Sequence, residues 1–118
     1  MLRISLISLF FATGAFAHEP GLGPNGGMRV DAGPYRVELV LNGTRVDAHV
    51  TMDDDSAVAT ETMTGTAILV LDGKPVRIPL EPTAAGVLSG DTGSAVPETV
   101  KGAVQLTDAD GKTVQAKF

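Results

Sequence analysis

The 118-residue chain contains no cysteine and no tryptophan, and only one tyrosine and four phenylalanines. Without cysteine it has no disulfide framework, no thiolate metal ligand and no thiol nucleophile. Three of the phenylalanines, Phe10, Phe11 and Phe16, fall in the first seventeen residues, so the rest of the chain keeps Tyr35 and Phe118 as its aromatics. A core there has to be made of Val, Leu, Ile and Ala, and little flat surface remains to stack on a sugar or a nucleobase. Long apolar runs are lacking too, since no segment reaches the roughly eighteen residues of a membrane-spanning helix. Basic residues are in the minority: nine Lys and Arg stand against fourteen Asp and Glu, a net charge of −5. An acidic balance repels phosphate backbones and anionic lipid and attracts cations, which argues against nucleic acid as a partner.

What is present begins with a leader. Residues 1–17 carry one positive charge at Arg3, an apolar stretch from Ile4 to Ala12, and the small-residue pattern Ala15-Phe16-Ala17. These are the parts of a secretory signal peptide cleaved after Ala17, which predicts a periplasmic or secreted protein. Cleavage removes Arg3, so eight basic residues then face the fourteen acidic ones and the net charge becomes −6. The processed chain, residues 18–118, has the length of one small domain. Residues 18–27 read as an extended N-terminal tail rich in Gly and Pro, and residues 28–118 as the folded domain.

From Met28 onward apolar residues recur with period two, and turn dipeptides punctuate them. Residues 35–41 run into Asn42-Gly43 and return as 46–52; residues 68–71 meet Asp72-Gly73 and return as 76–80; residues 100–106 meet Asp108-Ala109-Asp110-Gly111 and return as 114–118. Three hairpins follow, the first predicted as a type I′ turn with Asn42 and Gly43 both at positive φ. Pro79 cannot donate to a strand pairing, which puts its strand at a sheet edge or a bulge. No stretch shows an apolar 3.6 period. The expected fold is all-β, either a small antiparallel β-sandwich of immunoglobulin-like type with about seven strands or an open barrel. Its inward set is Val37, Leu39, Leu41, Val46, Val50, Ile68, Val70, Val76, Ile78, Val104, Leu106, Val114 and Phe118.

Cleavage after Ala17 would make His18 the first residue and give it two nitrogen donors, the imidazole and a free α-amino group. The pair forms a chelate ring, and such nitrogens suit Cu(II) best among the divalent first-row ions, with Zn(II) behind. His49 lies on the polar face of its predicted strand with Asp47 and Thr51. If the tail folds back over that face, the candidate metal set is His18 and His49, with Glu19 or Asp47 as oxygen donor. A lone exposed histidine is more often solvated than a ligand, and His49 also reads as an ordinary exposed strand residue. Met28, Met52 and Met63 offer thioethers without a Met-x-Met spacing, and Met52 falls on an apolar face. Asp53-Asp54-Asp55 lacks the Gly and distal Glu of a calcium loop and reads as a solvated turn. No Ser, His and Asp set of nucleophile and base appears, so an enzyme is not expected.

The run "GPNGGMRVDAGPYRVELVL" resembles the start of small β-domains that carry a Pro-His/Asn-Gly-Gly segment followed by a Tyr-x-Val-Glu-Leu-Val strand. Such domains occur in periplasmic adaptors of heavy-metal efflux systems and in stand-alone periplasmic proteins of metal resistance. The resemblance extends through "LDGKPVRIPLEP" and "DADGKTVQAKF". It implies a periplasmic protein of metal homeostasis or resistance, with a heavy-metal efflux system or another envelope protein as partner. Asn25 and Arg36 stand where related segments often carry histidine. The other expectation is a non-enzymatic interaction module of the envelope that holds no metal and docks through sheet edges or the loop 53–62.

Overall fold

The computed structural model describes residues 19–118; residues 1–17, expected to form a leader, and His18 lie outside the described residues. Nine antiparallel strands make up the fold: β1 (Gly21–Leu22), β2 (Met28–Ala32), β3 (Tyr35–Asn42), β4 (Arg45–Met52), β5 (Thr64–Leu71), β6 (Lys74–Ala84), β7 (Val87–Asp91), β8 (Gly102–Thr107) and β9 (Thr113–Lys117). They form one sheet in the order β1-β2-β3-β4-β7-β6-β5-β8-β9, curled into an open half-barrel. The all-β expectation holds in its open-barrel form, with nine strands where about seven were expected. No helix of the described residues is long and apolar enough to cross a membrane.

The curl originates in β6. Its first part, Lys74 to Leu80, pairs with β5, whereas Glu81 to Ala84 pairs with β7, with a bulge between Pro82 and Ala84. The bulge adds twist and turns the chain from one leaf to the other. Pro79 sits where β6 pairs with β5 just before the β7 pairing begins at Glu81, so its missing amide proton falls at the corner rather than on a free edge. One leaf is thus β1-β2-β3-β4-β7 and the other β6-β5-β8-β9. β2 and β9, near the two ends of the sheet, approach each other at Gly33, where a Cβ would press on the Val114 side chain.

All three expected hairpins form. Between β5 and β6 the central turn residues are Asp72 and Gly73, at φ 50° and 75°, the type I′ pattern. Between β3 and β4 the outcome differs from the expectation. Asn42 pairs with Arg45 as the last residue of β3, so the turn is Gly43-Thr44 with only Gly43 at positive φ, 62°. That is the type II′ pattern, and Gly supplies its one left-handed position. Between β8 and β9 the Asp108 carboxylate accepts from the amides of Asp110 (3.0 Å) and Lys112 (2.9 Å), closing the loop as a turn.

Val37, Leu39, Val46, Val50, Ile78, Val104 and Leu106 are buried between the leaves as expected, and Leu41, Val76, Val114 and Phe118 pack against them. Ile68 and Val70 are not in the core; β5 instead turns Ala67 and Leu69 inward, and Val70 is 46% exposed. Four consecutive apolar residues, Ile68 to Leu71, leave the parity of this strand open. The crowding at Gly65 decides it, since a Cβ there would touch Leu106 and Leu80 and the odd positions therefore face the interior.

Candidate functional site

Cross-strand pairing lines up Gly21, Arg29, Glu38, His49 and Val87 across β1, β2, β3, β4 and β7. Directly opposed residues share a face, and this is the outer face of the leaf, because Val37 and Leu39 on either side of Glu38 point into the core. Glu38 is nevertheless 1% exposed. The segment Gly23 to Gly27 folds over it. Both Asn25 amides, backbone (2.9 Å) and side-chain (3.0 Å), and the Gly27 backbone amide (2.8 Å) donate to the carboxylate. Charge-assisted bonds of this kind offset the loss of water around a buried anion. A Cβ at Gly23 would run into the Glu38 carboxyl and one at Gly27 into the Leu39 carbonyl, so the glycines are there for close approach.

Beside this clamp lies a cleft of 310 Å³ whose wall includes Asn25, Arg29, Glu38, His49, Thr51 and Asp55. The loop after β4 supplies Asp55. It stands at φ 67° and its carboxylate meets the Arg29 guanidinium at 3.0 Å and that of Arg36 at 3.6 Å, while Arg36 also faces Asp31 at 3.8 Å. Asp54 accepts from the backbone and hydroxyl of Ser56, and these bonds hold its carboxyl below the usual carboxylate range. The three aspartates therefore make a turn and an ion pair, not a shared cation site.

His49 and Asp47 occupy alternate positions of β4 and so share the outer face, as the sequence alternation predicts. His49 is half-buried, and its ring makes no hydrogen bond with the described residues. Asp47 is more occupied: Arg45 Nε (2.8 Å) and the Ser89 hydroxyl both donate to Oδ1, leaving Oδ2 without a partner among the described residues. Burial pushes the Asp47 carboxyl up, but the Ser89 bond, the Arg45 bond and charge, and the charge of His49 together outweigh it and hold the group below its ordinary range. Glu19 is exposed, ahead of β1. At Gly21 the tail is three strands from β4, about 14 Å at the usual spacing. Among the described residues no three His, Asp or Glu side chains converge as a metal site.

The joint role of two participants was not read from the sequence. Glu38 reads there as one more outward polar residue of an alternating strand, and Asn25 as part of the extended tail, at a position where the resembling segments often carry histidine. A signal was available in Gly26-Gly27, since glycines beside each other often mark backbone that lies against something. Comparison with known proteins finds no matching family, no similar curated sequence and no similar solved structure.

Proposed function

We propose that the chain is an exported β-domain that binds a metal ion, Cu(II) before others, at His18 and His49 in metal homeostasis or resistance, beside a heavy-metal efflux system or another envelope protein. One observation carries this reading. The residues of the resembling segment, Asn25, Gly27 and Glu38, meet around one carboxylate directly beside His49, whose ring has no hydrogen bond with the described residues. Asn25 and Arg36, the two positions where that resemblance often has histidine, border the same outer face. His18 adds the chelating pair of nitrogens. The three residue steps from His18 to Gly21 span at most about 10 Å when extended, which with the two imidazoles covers the distance from β1 to β4. Asp47 Oδ2 or Glu19 supplies the oxygen donor.

Titration calorimetry with Cu(II) tests the reading on residues 18–118, which hold all nine strands. The processed chain binds one Cu(II) far more tightly than a form with one additional residue before His18, because the chelate needs the free α-amino group. Affinity falls as pH drops, since both nitrogens must lose their protons to ligate. His18→Ala abolishes the site and His49→Ala weakens it. Equal affinity for the processed and extended forms would sink the chelate, and so would a mature chain that begins elsewhere by mass spectrometry.

A second reading, an interaction module without metal, has its own support. Leu22 and Met28 are paired across the short edge strand β1 and are 80% and 45% exposed. They line a 190 Å³ cleft with Leu39, Leu41, Val100 and Phe118. An efflux or copper-oxidase gene beside this one favours the first reading; an adhesin or secretion locus favours the second.

A further inference from the structure

The outer face of the β6-β5-β8-β9 leaf takes no part in the site described above. Strand pairing sets Lys117, Ala103, Ile68 and Arg77 in one row across β9, β8, β5 and β6. The neighbouring row is Gln115, Gln105, Thr66 and Pro79. On the other side Val70 lies opposite Pro75, and its amide donates to the carbonyl of Lys101 at 2.9 Å. No carboxylate occurs in these three rows. Val70 is 46% exposed and Ile68 half-buried, so an apolar centre is flanked by Arg77 on one side and by Lys101 and Lys117 on the other, about two and three strand spacings away, roughly 10 and 14 Å. All three cations are exposed and form no ion pair with the described residues.

We infer that this face docks reversibly on an anionic lipid headgroup layer. The net charge of the chain argues against such a partner only if charge acts over the whole molecule. Exposed charges are screened beyond about 8 Å at physiological salt, and the acidic groups of the other leaf lie across a core of about 10 Å with side chains on both sides. This leaf's own carboxylates, Asp72, Glu81, Asp108 and Asp110, stand at its turns and its corner, outside the three rows. The local sign therefore governs an approaching surface, and here it is positive. Composition separates a lipid from a protein partner. Protein interfaces are enriched in Tyr, Trp and Arg and depleted in Lys; this face has two lysines, one arginine and no aromatic residue. Lysine stems lie along apolar surface while their ammonium groups reach phosphate, the arrangement suited to a headgroup layer.

Co-sedimentation of residues 18–118, free of the apolar leader, with vesicles tests this. Vesicles of phosphatidylcholine and phosphatidylglycerol in equal parts pull the protein down, vesicles of phosphatidylcholine alone do not, and high salt releases it. Arg77→Gln and Lys117→Gln each lower the partition coefficient roughly fivefold, the worth of one basic residue near such a surface. Arg45→Gln, the same charge change on the opposite leaf, leaves it unchanged, and circular dichroism shows all variants folded. Protein that stays in the supernatant with anionic vesicles overturns the inference and leaves the face to an acidic protein. Equal binding to both vesicle types, or binding indifferent to Arg77 and Lys117, overturns it as well.

Discussion

On the outer face of the β2-β3-β4-β7 leaf every arginine has a carboxylate close by: Arg29 with Asp55 at 3.0 Å, Arg36 with Asp55 and Asp31 at 3.6 and 3.8 Å, Arg45 with Asp47 at 2.8 Å. On the outer face of the β6-β5-β8-β9 leaf, Arg77, Lys101 and Lys117 have none among the described residues. The strands are of the same kind and the two leaves share one apolar core, so the contrast lies in what crosses each face. The first leaf is covered by two segments, the Gly23–Gly27 loop over Glu38 and the Asp53–Ser56 turn over Arg29 and Arg36. Many polar groups there are partly buried and paired, while Arg29 Nε, Arg36 Nε and Thr51 Oγ1 are buried without a hydrogen bond among the described residues. Nothing among the described residues crosses the second face, and its cations remain solvated. A single figure for net charge averages these two surfaces and describes neither.

The largest effect that sharpens the contrast is at Glu38. Replacing it with Ala removes an acceptor that satisfies three amides, leaving the Asn25 and Gly27 donors under a loop that no longer has an anchor. The expected loss is on the order of 3 kcal/mol, read as a lower urea midpoint. Glu38→Gln keeps the shape and one acceptor oxygen but turns an NH₂ toward donors, and it costs about 1–2 kcal/mol. No outward residue of the second leaf should approach these values. If Arg77→Ala proved as costly as Glu38→Ala, the two faces would not differ as described.

Asp47 gives a smaller effect with a definite pH dependence. Its folded pKa lies below the ordinary value of 3.8, so its ionised form contributes stability that is present above the unfolded pKa and is lost as pH falls through the folded one. Asp47→Asn is therefore less stable than the parent at neutral pH, by no more than about 1 kcal/mol for a pair near the surface. The gap narrows below about pH 4 and closes under still more acid conditions. Urea titrations of both proteins across that range read it directly. A gap that widens on acidification would mean that burial, not the Ser89 and Arg45 bonds, dominates at this carboxyl.

The parts of this contrast that were legible in the sequence are those that depend on neighbours along the chain. Asp72-Gly73 marked its turn because two consecutive positive φ values need such residues, and strict alternation put Asp47 and His49 on one outer face. The strands β1, β2 and β7 escaped notice, being five residues or fewer and stabilised by pairing rather than by pattern. Asn42-Gly43 marked the right hairpin with the wrong register, since Gly-Thr satisfies a type II′ turn as well as Asn-Gly satisfies a type I′. Burial of Glu38 was not legible because it depends on a loop eleven to thirteen residues earlier folding back, and nothing in an alternating strand distinguishes an outward residue that will be covered.

The smallest effect tests the parity of β5, where the sequence reading and the structure part. Val70 faces outward, and threonine has nearly the same shape and an equal liking for extended backbone. Its hydroxyl would meet water, so Val70→Thr should change stability by less than about 0.5 kcal/mol. One residue earlier the same replacement would set a hydroxyl at Leu69, fully buried in the core, with the loss of apolar contacts and an unsatisfied polar group together costing about 3 kcal/mol. The pair of variants reads the direction of each side chain without a structure. A substantial loss at position 70 with little at 69 would reverse the strand. It would return Ile68 and Val70 to the core and remove the apolar centre from the cationic face.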